Sequence, residues 1–315
     1  MTPPLLEVAG LVKHFPVRGG DVRAVDGVSF TLARAETLSI VGESGCGKST
    51  VGRCILRLVR PSEGQVSLRG ERIDDLPERR LRPLRRHVQV VFQDPFSSLN
   101  PRQRVRDIIA EPLRNFSLAS GRALDTRVAE LLEQVGLPAS AAQRLPHEFS
   151  GGQRQRIGIA RALAPGPDLL VCDEAVSALD VSVKAQIVNL LLGLQARLGL
   201  AILFISHDLA IVEHLTHRVA VMYLGRVVEI ADRRALFATP RHPYTRALLS
   251  AVPVPDPGAA RQRTVLRGDV PSALAPPPGC RFHTRCPVAF DRCRVEEPIP
   301  RQVALGHIVA CHLEH

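Results

Sequence analysis

The chain has 315 residues, enough for about two domains and for a core that needs no covalent staples. Its net charge of +10 fits nucleic acid, a membrane face or a bias toward arginine, since Lys13, Lys48 and Lys184 are its only lysines; no basic tract is interleaved with aromatics, so nucleic acid is not expected as a partner. No run approaches the about 18 apolar residues of a membrane span, the first residues carry no signal pattern, and the seven cysteines form no secreted disulfide framework, so a soluble, cytosolic protein is expected.

In chain order, residues 5–15 and 22–32 read as strands joined by a turn at Arg18-Gly19-Gly20-Asp21. Phe15 is either an ordinary core aromatic or a flat face for stacking on a base. The run Thr37-Leu38-Ser39-Ile40-Val41 reads as a buried strand, and the Gly42-Glu43-Ser44-Gly45-Cys46-Gly47-Lys48-Ser49-Thr50 that follows fits G-x-x-x-x-G-K-[ST]. Glycines let the backbone curl until successive N–H groups point inward, and a helix starting near Lys48 adds the positive end of its dipole. Such a socket holds a polyphosphate, with Lys48 on the β- and γ-phosphates and Ser49 a ligand of Mg²⁺. The plain alternative is a glycine-rich turn; Val51, Ile55 and Leu58, at helical spacing, favour the socket.

A turn at 61–64, a strand at 65–69 and a charged helix around 79–86 come next. The strand 87–92 ends at Gln93, before Asp94-Pro95 and a turn-rich stretch through 101. A neutral polar group at a strand tip suits Mg²⁺ coordination or the orientation of water, although Gln93 alone is equally a loop residue. Residues 105–145 carry helical apolar spacing, as at Val128, Leu131, Leu132 and Val135, which reads as a helical subdomain, about 100–165, inserted into an α/β core. It ends at Phe149-Ser150-Gly151-Gly152-Gln153, where Ser150 fits a helix N-cap and the glycines expose a second set of N–H groups at a helix start.

The strand 168–174 carries Asp173 and Glu174 at its C-terminal end, where open α/β sheets bind ligands, although the pair also fits a helix cap. Ser177-Ala178-Leu179-Asp180 leads into a helix at 181–198, and a buried strand at 201–205 ends at Ser206-His207-Asp208. A strand pair around Leu224-Gly225 and a short helix at 232–237 close the core. Beyond His242-Pro243-Tyr244-Thr245-Arg246-Ala247-Leu248 runs a proline-rich linker, and the fold is not expected to need the tail. Cys280, Cys286, Cys293 and Cys311 there stand at C-x5-C-x6-C-x17-C and read as a [4Fe-4S] or Zn²⁺ site, because ligation supplies folding energy that a small core lacks.

Ser150-Gly151-Gly152-Gln153 between a phosphate loop and a Walker B strand resembles the signature of ATP-binding-cassette ATPases. Phe149 stands where that family usually has Leu, and Ala175 where Pro is common after the glutamate. The resemblance implies that Asp173 holds Mg²⁺ together with Ser49 and Gln93, that Glu174 polarises the attacking water, and that His207 contacts the γ-phosphate. It also implies that Phe15 stacks on adenine, that residues 42–50 bind ATP, that Ser177–Asp180 form the D-loop across a dimer interface, and that the signature acts in trans on a partner's nucleotide. The late cysteines and the His-Pro-Tyr-Thr-Arg-Ala-Leu motif are similar to the oligopeptide and dipeptide transporter ATPases, and within these the runs from Ser150 to Ala160 and from Val171 to Glu174 look like the F-type subunit.

What that resemblance implies is an α/β P-loop ATPase core with an antiparallel β subdomain, a helical insert and a cysteine-bearing C-terminal extension. The nucleotide-binding domain would span 1–250 and the linker with its cysteine motif 251–315. The expected partners are a second, different cassette subunit, two transmembrane permeases and, indirectly, an extracytoplasmic solute-binding protein. The expected place is the cytoplasmic face of the membrane, and the expected cargo peptides, with nickel or another small solute as alternative. A soluble cassette acting on DNA or ribosomes usually fuses two cassettes or inserts coiled coils, which this chain lacks. An iron-sulfur or zinc sensor that merely binds nucleotide would not need a full hydrolytic set.

Overall fold

Period-two alternation decides how the central strands are used. In β7 (Leu169–Asp173), Leu170 and Cys172 face one buried cluster while Leu169 and Val171 face another. In β8 (Ala201–Ser206), Ile202 and Phe204 divide in the same way from Leu203 and Ile205. Strands apolar on both sides must be covered on both sides, which makes a three-layer arrangement. The computed structural model describes residues 3–94, 98–252 and 266–313.

One outer layer is an antiparallel sheet in the order β2-β1-β4-β5. Here β1 (Leu6–Val17) and β2 (Gly20–Leu32) form the expected hairpin, followed in sequence by β3 (Thr37–Val41) and α1 (Lys48–Ile55) of the core. The layer is completed by β4 (Glu63–Leu68), which starts two residues before the expected strand, and the short β5 (Glu71–Arg72). After α2 (Glu78–Leu84), β6 (Val88–Val91) is shorter than the 87–92 read from sequence. The segment between β6 and β7 holds α3 (Val105–Asn115), α4 (Gly121–Gln134), two 3-10 turns and α5 (Gly151–Leu163). Buried Ile108, Leu131 and Ile157 join these helices to the cluster shared with Leu170 and Phe204.

The chain continues through α6 (Val181–Leu198), β8, α7 (Leu209–Leu215), β9 (Arg218–Tyr223) and β10 (Arg226–Asp232). It ends in α8 (Arg233–Ala238), α9 (Pro243–Ser250), α10 (Asp291–Val295), β11 (Arg301–Ala304) and β12 (His307–Val309). The main sheet runs β11-β12-β10-β9-β3-β8-β7-β6. The strands from β9 to β6 are parallel, and β10, β12 and β11 add antiparallel pairs beyond them.

Two expectations are corrected here. Leu58 does not lie on the face of α1: the helix closes at Leu56, Arg57 turns to φ 53°, and Leu58 is 52% exposed, while Cys54 fills the inward position. The tail, expected to be dispensable, continues the main sheet. Its β12 pairs Val309 with Glu229 and Ile308 with Ile230, and Phe282 and His307 are buried against the core. Arg281 crosses to the antiparallel layer, pairing with Asp26, and its guanidinium also donates to the Leu224 carbonyl. Burial pushes the Asp26 carboxyl up, and the hydrogen bond and charge of Arg281 outweigh it, so the group sits below its ordinary range. The linker residues 253–265 lie outside the described residues.

Candidate functional site

Parallel strands end at one edge, and the register brings four loops to it. Val41 of β3 is level with Ser206 of β8, Ile205 with Asp173 of β7, and Cys172 with Val91 of β6. Neighbouring strands are about 4.8 Å apart, so β3 and β7, separated by β8, are within reach of one extended group. The loop 42–47 leaves the edge pressed against two other strands. A Cβ on Gly42 (φ 154°) would stand 2.1 Å from the Met222 carbonyl oxygen, and one on Gly47 (φ 105°) 2.0 Å from that of Ala24. Only glycine fits either place. At the far end of the loop, the Gly225 N–H donates to the Cys46 carbonyl at 2.9 Å. Gly47 gives α1 no side-chain cap, so its first amides, with the dipole behind them, face outward as an anion site.

The Lys48 ammonium, 4% exposed, donates to the carbonyls of Gly42 and Glu43, each at 2.9 Å. Ser49 Oγ donates to Asp173 Oδ1 at 2.7 Å, spanning the gap between β3 and β7. Burial pushes the Asp173 carboxyl up, against the hydrogen bond from Ser49 and the charges of Arg53 and Lys48. Glu174, next in the chain, has φ 50°, a left-handed conformation that a non-glycine residue holds only when its surroundings impose it. Its N–H donates to the Ile205 carbonyl at 2.9 Å, and its Oε1 lies 3.3 Å from His207 Nδ1. Ser177 Oγ donates to the Glu174 carbonyl at 3.0 Å. The edge thus collects an ammonium, a hydroxyl, two carboxylates and an imidazole around one anion socket. That set suits metal-assisted attack of water on a phosphoryl group.

Other candidate residues stand apart from this cluster. Ser44 and Gly45 form the exposed tip of the loop, Cys46 is buried beneath it, and Thr50 is half-buried in α1. Gln93 is exposed just past β6, a strand end tied to α5 by Gln155 Nε2, which donates to the Phe92 carbonyl at 3.4 Å; Pro95, Phe96 and Ser97 of the following turn lie outside the described residues. Ser150 and Gln153 cap α5 reciprocally: the Gln153 N–H donates to Ser150 Oγ at 3.4 Å and the Ser150 N–H to Gln153 Oε1 at 3.0 Å. Gly151 begins that helix, and a Cβ on Gly152 would stand 2.4 Å from Cγ1 of Val183 on α6, so the two helix starts are in direct contact. Ala178 and Asp180 are exposed, Leu179 is half-buried, and Asp180 precedes α6. Phe15 is half-buried on β1 with the Lys13 ammonium 4.9 Å from its ring centroid.

The cysteines of the extension gather without forming a ligand set. Burial pushes the Cys280 thiol up to about 11, with Cys293, Cys311 and Cys286 near enough to add to the shift. Among the described residues no group of three or more His, Cys, Asp or Glu side chains stands where a metal ion could be held. Residues that sequence reasoning did not connect with the site do reach it: Tyr244 and Arg285 both touch Glu43 of the phosphate loop. The His-Pro-Tyr motif marks their region, but no spacing points back across 201 and 242 residues.

Comparisons with known proteins agree with this geometry. The ABC transporter family pattern matches residues 25–177, and the pattern for the oligopeptide/dipeptide transporter C-terminal region matches 228–293. A probable peptide ABC transporter ATP-binding protein of Sinorhizobium fredii is 55% identical over 320 residues, covering 99% of this chain and 91% of that one. The oligopeptide transport ATP-binding protein AppF of Bacillus subtilis is 53% identical, covering 98% and 97%. The ATP-binding cassette MJ0796, solved as a dimer in a post-hydrolysis state bound to ADP and Pi, superposes with a TM-score of 0.67 at 29% identity, over 73% of this chain and 99% of that one. CbiO1 of Clostridium perfringens, part of an ABC transporter complex, gives 0.67 at 27% identity over 76% and 92%. With relatives matched along nearly its whole length and the same cassette fold, the chain belongs to the ABC transporter family of ATP-binding proteins, in the group that carries the oligopeptide/dipeptide transporter C-terminal region.

Proposed function

We propose that the chain is the ATP-hydrolysing subunit of a di- or oligopeptide importer. It would work at the cytoplasmic face of the membrane under two permeases fed by an extracytoplasmic binding protein, paired head to tail with a second, distinct cassette subunit. The observation that carries the hydrolytic reading is the pairing of Ser49 with Asp173 at 2.7 Å and of Glu174 with His207 at 3.3 Å on one sheet edge. Peptide cargo is supported by the peptide-transport roles of these relatives and by the oligopeptide/dipeptide transporter C-terminal region of this chain. Among the described residues no helix is long and apolar enough to cross a membrane, so attachment would run through the permeases.

In this reading the loop amides and Lys48 hold the β- and γ-phosphates, and Phe15 stacks on adenine. Ser49 of α1 and Asp173 at the end of β7, with Gln93 beyond β6, would hold Mg²⁺ through hard oxygen donors, and the ion would neutralise charge on the phosphates. Glu174 orients and polarises the attacking water while His207 steadies its carboxylate and the γ-phosphate. The partner's Ser-Gly-Gly-Gln helix start completes the shell, and Ser177–Asp180 carry the contact between subunits. Hydrolysis would reopen the pair. The finer reading of Cys280, Cys286, Cys293 and Cys311 as a [4Fe-4S] or Zn²⁺ site requires the thiols to draw together on loading; iron, sulfide and zinc analysis of anaerobically purified protein decides it.

Glu174→Gln is the direct test. Turnover in the assembled transporter should fall at least about 100-fold with ATP binding retained, because an amide keeps the shape but cannot polarise water. Capture of this variant with ATP from gently solubilised membranes should bring down two multi-span proteins and a second cassette chain. Wild-type turnover in the variant would sink the role of Glu174, and capture of only itself or of soluble factors would sink the importer.

A further inference from the structure

The phosphate loop is gripped from behind by the C-terminal extension, and the grip centres on one residue. Glu43 occupies the first variable position of the loop motif, yet each of its polar groups is engaged. Its N–H donates to the Tyr244 hydroxyl at 2.9 Å, its carboxylate takes two hydrogen bonds from the Arg285 guanidinium at 2.7 and 3.1 Å, and its carbonyl accepts from the Lys48 ammonium at 2.9 Å. A two-pronged guanidinium–carboxylate pair fixes direction as well as distance.

The two partners are themselves anchored. Tyr244 is fully buried on α9, with its ring 4.7 Å from that of Tyr223 and 5.4 Å from that of Phe282. Its N–H donates to His242 Nδ1 at 3.1 Å, and the N–H groups of Arg241 and His242 end on the buried Glu229 carboxylate at 2.8 and 3.0 Å. His307 of β12 closes on the same carboxylate, with Nε2 2.7 Å from Oε1. The Arg285 side chain is 8% exposed. Any displacement of the extension therefore displaces Glu43, and with it the carbonyl that receives Lys48.

We propose that Tyr244 and Arg285 are positioning residues of the ATP site: acting through Glu43, they set the curvature of the phosphate loop and the place of the Lys48 ammonium before nucleotide arrives. This gives the C-terminal region a task in nucleotide affinity, and it rests on the reading of the loop as the ATP site.

The test uses the full-length chain, Mg²⁺ and a fluorescent ATP analogue, with Kd measured beside the melting temperature in the absence of nucleotide. Arg285→Gln should raise Kd about tenfold, with Arg285→Lys recovering part of the loss as a point charge. Tyr244→Phe keeps the ring in place and should raise Kd about threefold, the loss of one neutral hydrogen bond. The double variant Glu43→Gln/Arg285→Gln should bind no more weakly than the poorer single one, because either change removes the same contact. Arg292→Gln, which alters an exposed pair with Glu296 in the same extension, should leave Kd unchanged. Unchanged Kd in Arg285→Gln and Tyr244→Phe, or additive losses in the double variant, would overturn the proposal while wild-type binding upholds the ATP site. If Arg285→Gln does not fold, Tyr244→Phe and Glu43→Gln decide: a wild-type Kd in both overturns it. A wild-type chain that binds no nucleotide would overturn the ATP-site reading and this inference with it.

Discussion

The parallel and antiparallel halves of the main sheet reach the phosphate loop by different routes. In the parallel half, register does the work: Ser49, Asp173, Glu174 and His207 come from separate segments but meet because β3, β7 and β8 end level with one another. In the antiparallel half, Glu229, His242, Tyr244, Arg285 and His307 meet through hydrogen bonds between buried side chains and backbone. The first route leaves its groups at an open edge, ready for a ligand. The second spends them on one another, so a broken contact leaves a buried donor or acceptor without a partner. Chemistry is placed by the strand lattice, and stiffness by the polar network behind it.

The largest effect expected from breaking this division is at the loop itself. Gly47→Ala puts a Cβ about 2.0 Å from the Ala24 carbonyl, in a left-handed conformation, so the loop must move off β2. Loss of nucleotide binding to below detection by calorimetry is expected, with destabilisation of about 3 kcal/mol or more. Next comes the anchor of the antiparallel half. Glu229→Ala leaves the N–H groups of Arg241 and His242 and the His307 imidazole without their acceptor, and should cost about 3 kcal/mol in urea unfolding. An unchanged midpoint would mean that the network carries no stability.

The smallest effect sharpens the comparison by pH. Burial, helped by the Arg246 charge, pushes the His242 imidazole down to about 3 from an ordinary 6.5. The unfolded chain therefore binds a proton between these values that the folded chain refuses, so stability is full above pH 6.5 and falls as the pH drops toward 3. The slope approaches about 1.4 kcal/mol per pH unit. His242→Asn keeps an N-cap acceptor for the Tyr244 N–H and does not titrate, so its melting temperature should fall less steeply from pH 6.5 to 5. Parallel curves for the two proteins would show that His242 titrates normally.

The parallel half was largely legible in the sequence. Apolar runs such as Leu169–Cys172 end in polar tips, the glycines of the loop announce their conformation, and Ser150 was readable as a helix N-cap. Register was not legible, because strand order is set by packing between segments far apart in the chain. Leu58 misled because helical spacing continues past the point where Arg57 turns the chain out of α1. In the antiparallel half the strand pair around Leu224-Gly225 was legible, but the polar network was not, for a related reason. Glu43 sits at a position the loop motif leaves open, and Tyr244 and Arg285 reach it only through the tertiary fold. Low apolar content around the cysteines suggested a tail needing metal to fold, whereas burial of Phe282 and the β12 pairing already join it to the core.

The hairpin of β11 and β12 also covers the free side of β10. Without it, the seven-residue β10 would be the outermost strand, a row of open amides and carbonyls ready to pair with another chain. With it, the sheet closes at one end with the four-residue β11, entered through Pro298 and Pro300, and at the other with the four-residue β6. Such short borders offer an incoming strand little to hold. Cutting the chain after Val252 should therefore release protein that clumps, besides removing the Arg285 contact with Glu43.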